Sequence, residues 1–209
     1  MSSKFSQDIQ ALLTKLAAEP MTLREMLQAT SDRGVSLIVA LLVLPFLFPM
    51  PPGLSGIIGG ACFCLAMQMA VGKKSFWLPE KIAKFQFPRS FSQQILVKLR
   101  YITIRLEKIV RPRWHKIANN SYAKRINACC IVWLSILLMS PIPFTNPPPA
   151  IAILMLSIAT IEADGLLMWI GYFLTLANTV LFAFIVYALW QAPQFLPKIF
   201  SQFIAIAKL

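Results

Sequence analysis

Charge is scarce in this chain, and acid scarcest of all. Of 209 residues, 8 are Asp or Glu, 20 are Lys or Arg, and charged residues total 13%, about half the roughly 25% of an ordinary soluble domain. Hydrophobic residues make up 57% and the mean hydropathy is +0.67. Three stretches carry no charge: Gly34–Gly72, Ile126–Ile161 and Gly165–Pro197, of 39, 36 and 33 residues. A water-soluble core of this size could not bury such blocks, so the bilayer is the solvent for part of the chain.

Other absences narrow the chemistry. A single histidine, His115, excludes a multi-histidine metal centre and leaves no Ser-His-Asp arrangement. No P-loop, dinucleotide-binding glycine motif or HExxH pattern is present. The four cysteines, Cys62, Cys64, Cys129 and Cys130, all lie in apolar stretches, where they read as small hydrophobic side chains rather than a disulfide framework or metal site. No cofactor, no metal and no catalytic residue is expected, and the chain reads as a non-enzyme. A small lipid-modifying enzyme built on a carboxylate pair ranks last among the alternatives.

What is plentiful is positive charge, a net +12. Nucleic acid and an anionic membrane surface are both partners for such a balance. No RRM, zinc-finger or helix-turn-helix pattern accompanies it, so hydrophobicity decides for the membrane and no nucleic-acid partner is expected. Fourteen of the basic residues fall in the linker 73–125 and four in residues 1–33. The positive-inside bias places that linker in the cytoplasm. The N-terminus, MSSKFSQDIQALLTKLAAEP, lacks the apolar core of a signal peptide and is placed there too. Each apolar block beside the linker then begins and ends on the cytoplasmic side, as a hairpin that either spans fully or re-enters.

Proline favours re-entry. Crossing about 30 Å of hydrocarbon takes about 20 helical residues. The run PIPFTNPPP, residues 141–149, is expected to be non-helical, which leaves arms Ile126–Ser140 and Ala150–Ile161 of 15 and 12 residues. In the first block, Pro45, Pro49, Pro51, Pro52 and Gly53 follow an arm Gly34–Leu44 of 11 residues. Backbone groups freed by prolines must be paired by protein or water, so the two tips are expected to be buried against each other. Laying Leu41 over Leu137, Pro45 over Pro141 and Pro51-Pro52 over Pro147-Pro148 gives a sparse internal repeat. Interrupted apolar segments at corresponding places in two halves point to a mid-membrane site.

The expected fold is therefore an all-α integral membrane protein forming one membrane domain, 1–209. It comprises N-terminal surface helices (1–33), a Pro-broken hairpin (34–72), a basic linker (73–125), a second hairpin (126–161) in a duplicated arrangement, and a final transmembrane helix (165–190) stopped by Pro193. A homodimer would shield the short arms. Two ordinary tilted hairpins with turns at the outer surface are the alternative.

Within the linker, Phe91, Ile95, Leu99, Ile102, Leu106 and Ile109 recur at helical spacing, with Lys98, Arg105, Lys108 and Arg111 on other faces. Such a basic amphipathic helix lies in the membrane interface with its cations near anionic headgroups; packing on the protein with a solvated basic face is the plainer reading. Glu162 and Asp164 stand between two apolar blocks, either as carboxylates coupled to protons or cations or as part of a polar turn. Gln68, Thr175 and Asn178 are positioned to bond between helices. The candidate pathway and tip residues are Pro45, Pro49, Pro51, Pro52, Gly53, Gln68, Pro141, Pro143, Asn146, Pro147, Glu162 and Asp164.

The run LPFLFPMPPGLSGIIG, then AMQMAVGKK and SFWLP, and in the second half PIPFTN, PA and EADGLLMWIGY, resemble the exopolysaccharide synthesis protein ExoD family of bacterial membrane proteins. The resemblance covers Leu23 to about Tyr172. The matching positions are Pro45, Pro52, Gly53, Gln68, Gly72, Trp77, Leu78, Pro79, Pro143, Asn146, Glu162, Asp164 and Gly165, while the triple proline after Asn146 is richer than the family pattern. The resemblance implies a bacterial inner-membrane location and a role in producing or exporting extracellular polysaccharide, without a defined reaction. Two modes of action are expected. In the first, a polar headgroup or ion passes between the Pro-rich tips; in the second, a non-transporting scaffold docks an acidic partner or anionic lipid through the basic helix.

Overall fold

A computed structural model of the chain describes residues 34–47, 54–73, 76–83, 118, 120–140 and 145–206. Among the described residues every regular element is helical: α1 (Gly34–Val43) running into a 3-10 turn (Leu44–Leu47), α2 (Leu54–Val71), the short α3 (Glu80–Ala83), α4 (Ser121–Leu138), α5 (Pro147–Glu162) and α6 (Gly165–Ile206). Two compact units result, Met1–Thr175 and Leu176–Leu209.

In the first unit α1 packs on α2 and α5, and α4 packs on α2 and α5, while the 3-10 turn also meets α5. Apolar on all sides, GVSLIVALLV makes α1 a buried centre, with Val35 through Phe46 almost wholly covered, as a helix without a polar face requires. Pro45 sits in the 3-10 turn and is buried. Small residues let the other helices close in. A Cβ on Gly59 of α2 would lie 2.7 Å from Met139 Cγ and 3.6 Å from the Ser135 carbonyl oxygen at the end of α4. Where lipid replaces water, such close packing rather than hydrophobic exclusion holds helices together.

Helix α4 starts at Ser121, five residues before the expected arm, because Asn120 caps it: its side-chain oxygen accepts the Tyr122 N–H at 3.2 Å. Asn127, Ala128, Ile131, Leu134, Ser135 and Leu138 form its buried stripe. The outward face carries Ile126, Trp133 and Ile136, where a water-soluble helix would carry charge. Helix α4 and residues Gly165–Gln191 of α6 are long and apolar enough to cross a membrane.

Two expectations are corrected. Pro147, Pro148 and Pro149 are not a break but the first turn of α5. The first N–H groups of a helix have no intrahelical acceptor, so prolines at those positions forfeit nothing, and their fixed φ suits the helix. Nor does Pro193 stop the last helix, which runs through it and Pro197 to Ile206. In an apolar stretch, breaking the helix would free several backbone groups, whereas an internal proline loses one bond. Residues Leu176, Val180, Phe184, Tyr187 and Trp190 of the second unit are exposed.

Helices α2 and α5 end alike. Gly72 takes a left-handed φ of 77°, and the Lys73 N–H donates to the Gln68 carbonyl at 3.0 Å. Ala163 takes φ 52° and ψ 46°, and the Asp164 N–H donates to the Ala159 carbonyl at 3.1 Å. Both are six-to-one Schellman closures, for which glycine is the preferred residue. Left-handed alanine costs about 1 kcal/mol, so Ala163→Gly is expected to raise stability by about 0.5–1 kcal/mol and Gly72→Ala to lower it comparably. Thermal unfolding in detergent checks this: an Ala163→Gly protein melting below the wild type would contradict it.

Candidate functional site

Two ends of the α1/α2 and α4/α5 pairs carry the candidate residues. At one end the start of α2 meets the end of α4, through Gly59 against Ser135 and Met139. At the other, the turn after α2 meets the start of α4: a Cβ on Gly72 would lie 3.4 Å from an Arg125 guanidinium nitrogen. The pair is thus antiparallel over its length, and α5 returns alongside α4, with Asn127 bonded to Thr160 at 3.0 Å. The helix ends that border the Pro-rich tips, at Leu54, Leu138 and Pro147, thus share one end, and the bases at Val71, Ser121 and Glu162 share the other.

At the tip end, Asn146 precedes α5 in helical conformation and makes no side-chain cap bond. A capping side chain needs the N–H of the second or third helical residue, and here both are proline. Its Oδ1 is accordingly buried without a partner, while its carbonyl accepts from the Ala150 N–H at 3.1 Å. Pro147 opens the helix, and Pro45 lies in the buried turn that ends α1. Pro49, Pro51, Pro52, Gly53, Pro141 and Pro143 lie outside the described residues.

At the base end, Gln68 uses both ends of its amide on one residue. The Trp77 N–H donates to Oε1 at 2.7 Å, and Nε2 donates to the Trp77 carbonyl at 2.6 Å and to the Cys64 carbonyl at 2.9 Å. The side chain thus stands in for a strand partner and clamps the segment 76–79 to the end of α2. Asp164 is fully buried and caps α6, its Oδ1 accepting the Leu166 N–H at 3.0 Å. Glu162 is the last residue of α5 and half-buried. Gln68, Glu162 and Asp164 therefore belong to the bases, and Pro45, Asn146 and Pro147 to the tips. Thr175 bonds within its own helix, to the Gly171 carbonyl at 2.8 Å.

Sequence reasoning passed over a polar relay inside the helices. Tyr172 Oη donates to Asn127 Oδ1 at 2.6 Å, Asn127 Nδ2 donates to Thr160 Oγ1 at 3.0 Å, and Thr160 Oγ1 donates to the Leu156 carbonyl at 2.8 Å. It ties α6, α4 and α5 together, and Asn127 is fully buried. The signal was an asparagine one residue inside an uncharged block. The cysteines are all free; Cys62 is buried, Cys64 and Cys130 half-buried, and Cys129 exposed rather than packed. Among the described residues no three His, Cys, Asp or Glu side chains are grouped to hold a metal. Lys98, Arg105, Lys108 and Arg111 lie outside the described residues, as do the N-terminal helices.

Residues 5–184 match the family described as "Exopolysaccharide synthesis, ExoD". The chain is 33% identical to Protein ExoD of Rhizobium meliloti over 199 residues, covering 93% of this chain and 82% of that protein. It is 27% identical to an uncharacterized protein of Synechocystis over 191 residues, 90% of each chain. No solved structure matches it. With every regular element among its described residues helical, two helices long and apolar enough to cross a membrane and the family match running from residue 5 to 184, the chain belongs to the ExoD family, implicated in exopolysaccharide synthesis.

Proposed function

We propose that this is a non-enzymatic, multi-pass protein of the bacterial inner membrane. In this reading two re-entrant hairpins meet tip to tip inside the bilayer and let a polar headgroup or ion pass, in support of exopolysaccharide synthesis or export. The observation that carries the reading is the start of α5. Three prolines occupy the positions whose N–H groups would otherwise be unpaired, so this helix end can lie in an apolar medium without the penalty that unsatisfied donors bring. A helix beginning in water gains only the fixed φ, because water can satisfy the free donors there.

Length supports the same depth. At 10 and 16 residues, α1 and α5 measure about 15 and 24 Å, short of about 30 Å of hydrocarbon. The packing supports a duplication with both hairpins entering from one side. Exchanging α1 with α4 and α2 with α5 maps the observed neighbours onto themselves, and the Schellman ends at Gly72 and Ala163 correspond. A second copy against the apolar outer face of α4 would shield the short arms as a homodimer.

Flux through reconstituted liposomes tests the passage. Asparagine caps a helix as well as aspartate does, so Asp164→Asn removes the charge at the base and keeps the fold. Asn146→Leu removes the unpaired acceptor at the tip. Wild type is expected to exceed empty liposomes in passing an ion or a short-chain polar lipid, with each variant at least tenfold slower. Equal flux from all three proteins, or none above empty liposomes, would exclude the route.

A further inference from the structure

At the base end the chain places two aromatic rings and two cations on one rim. Trp77 is 66% exposed and Tyr122 73% exposed, although both backbones are held: Trp77 by the Gln68 amide and Tyr122 by the Asn120 cap. The same end holds the closure after α2, where the Arg125 guanidinium sits against Gly72 and exposed Lys73 follows directly. Tyr122 and Arg125 are three residues apart on α4 and therefore share a face. Leu78, next to Trp77, is buried, so the segment is anchored while the indole faces outward.

A membrane surface gives this combination a reason. Tryptophan and tyrosine rings favour the headgroup level, apolar on one side and wet on the other. A loose indole on a mobile loop would gain little from that preference, because ordering the loop would offset it. The Gln68 clamp removes that cost beforehand. Lys73 and Arg125, at the same end of the helices, supply the positive charge that a lipid phosphate needs.

We infer that Lys73, Arg125, Trp77 and Tyr122 form a headgroup site for an anionic phospholipid on the cytoplasmic rim, with Gln68 as its positioning residue. The inference rests on the reading that these hairpins are embedded in the bilayer. Arg125 gives the phosphate a planar pair of donors and Lys73 a point charge. The rings flank the glycerol region, and the site fixes how deep the first hairpin sits.

The test uses the full-length protein in detergent, with lipid retention read by native mass spectrometry. Phosphatidylglycerol, phosphatidylcholine and inorganic phosphate are each added at equal concentration. Wild type is expected to retain phosphatidylglycerol at least tenfold better than phosphatidylcholine, since each cation near an anionic surface contributes about fivefold. Lys73→Gln and Arg125→Gln should each lower that ratio about fivefold. Gln68→Leu should lower retention of both lipids while the ratio persists, which a purely structural role for Gln68 would not give. Equal retention of the two lipids by wild type, an unchanged ratio in both cation variants, or full competition by inorganic phosphate would overturn the site. Carbonate extraction of the membranes separates this from failure of the embedding itself: a protein that stays in the membrane without lipid preference refutes only the headgroup site.

Discussion

Gly171→Leu is expected to unseat the start of α6 from α5, lowering stability by about 3 kcal/mol, the upper range for overpacking a filled contact. A Cβ at this position would meet Leu156 Cδ2 and lie 2.7 Å from its Cγ, and Leu156 is itself fully buried. The obstacle is therefore not the free end of a flexible side chain that can swing into solvent. Gly171→Ala should cost about 1–2 kcal/mol for the same reason. The compensating change is Leu156→Ala, which alone leaves a cavity costing about 2–4 kcal/mol. Combined with Gly171→Leu it should be milder than the sum of the two, because the added leucine fills the space the removed one vacates. Unfolding in mixed micelles, followed by near-ultraviolet circular dichroism, provides the measurement. Strict additivity of the two changes would show that these side chains do not oppose each other.

Gly171 also shows where sequence reasoning stopped. In WIGYFLT a glycine among apolar residues is indistinguishable from one that merely fills space, and the Leu156 against it is fifteen residues upstream on another helix. What was legible came from local physics. Uncharged blocks identify the apolar helices, and Asp164-Gly165 marks the turn where α5 closes and α6 begins. Proline breaks the helix at neither place where the sequence alone suggests it, because its effect depends on whether an N–H at that position has an acceptor to lose and on what a break would cost. At Pro147–Pro149 there is none, so the prolines start a helix that they were expected to interrupt. At Pro193 there is one, yet α6 continues, since unwinding in an apolar run would forfeit more bonds than the proline does. The start of α4 lies upstream of the charge-free block because the helix takes in Lys124 and Arg125, and Asn120 has the residue type and position of its cap.

The candidate site was legible by residue and not by role. In sequence Gln68 is a polar group on an apolar arm, placed to bond between helices. Its actual partner, the backbone of Trp77, is nine residues away in sequence, and no periodicity reveals a side-chain amide pairing with a peptide unit. Asn146 stands out in sequence for its place beside the prolines, and the structure supplies the reason it stands apart: the residues it would cap have no hydrogen to give.

Asn127→Ala is expected to cost about 2 kcal/mol, more than removing either of its partners, because it strips two half-buried groups at once. A single interhelical hydrogen bond in a membrane protein averages only about 0.6 kcal/mol, so Tyr172→Phe and Thr160→Val should each cost about 1 kcal/mol or less. The relay has a direction. Tyr172 donates to Asn127, Asn127 to Thr160, and Thr160 to the Leu156 carbonyl, so each side-chain oxygen that receives a hydrogen belongs to a group that passes one on. Removing the middle member leaves a phenolic hydroxyl without an acceptor and a threonine oxygen without a donor. Removing an end leaves one orphan atom. The relay finishes on the same Leu156 whose side chain rests against Gly171, one residue before Tyr172, so α6 is docked by a polar and an apolar contact within a single turn. Those contacts should therefore couple: Asn127→Ala and Gly171→Ala together should cost less than their sum, since α6 is already loosened by either. Equilibrium unfolding of the two single variants and the double variant measures the coupling. Asn127→Ala costing no more than Tyr172→Phe would show that the relay is three separate bonds and not one joint.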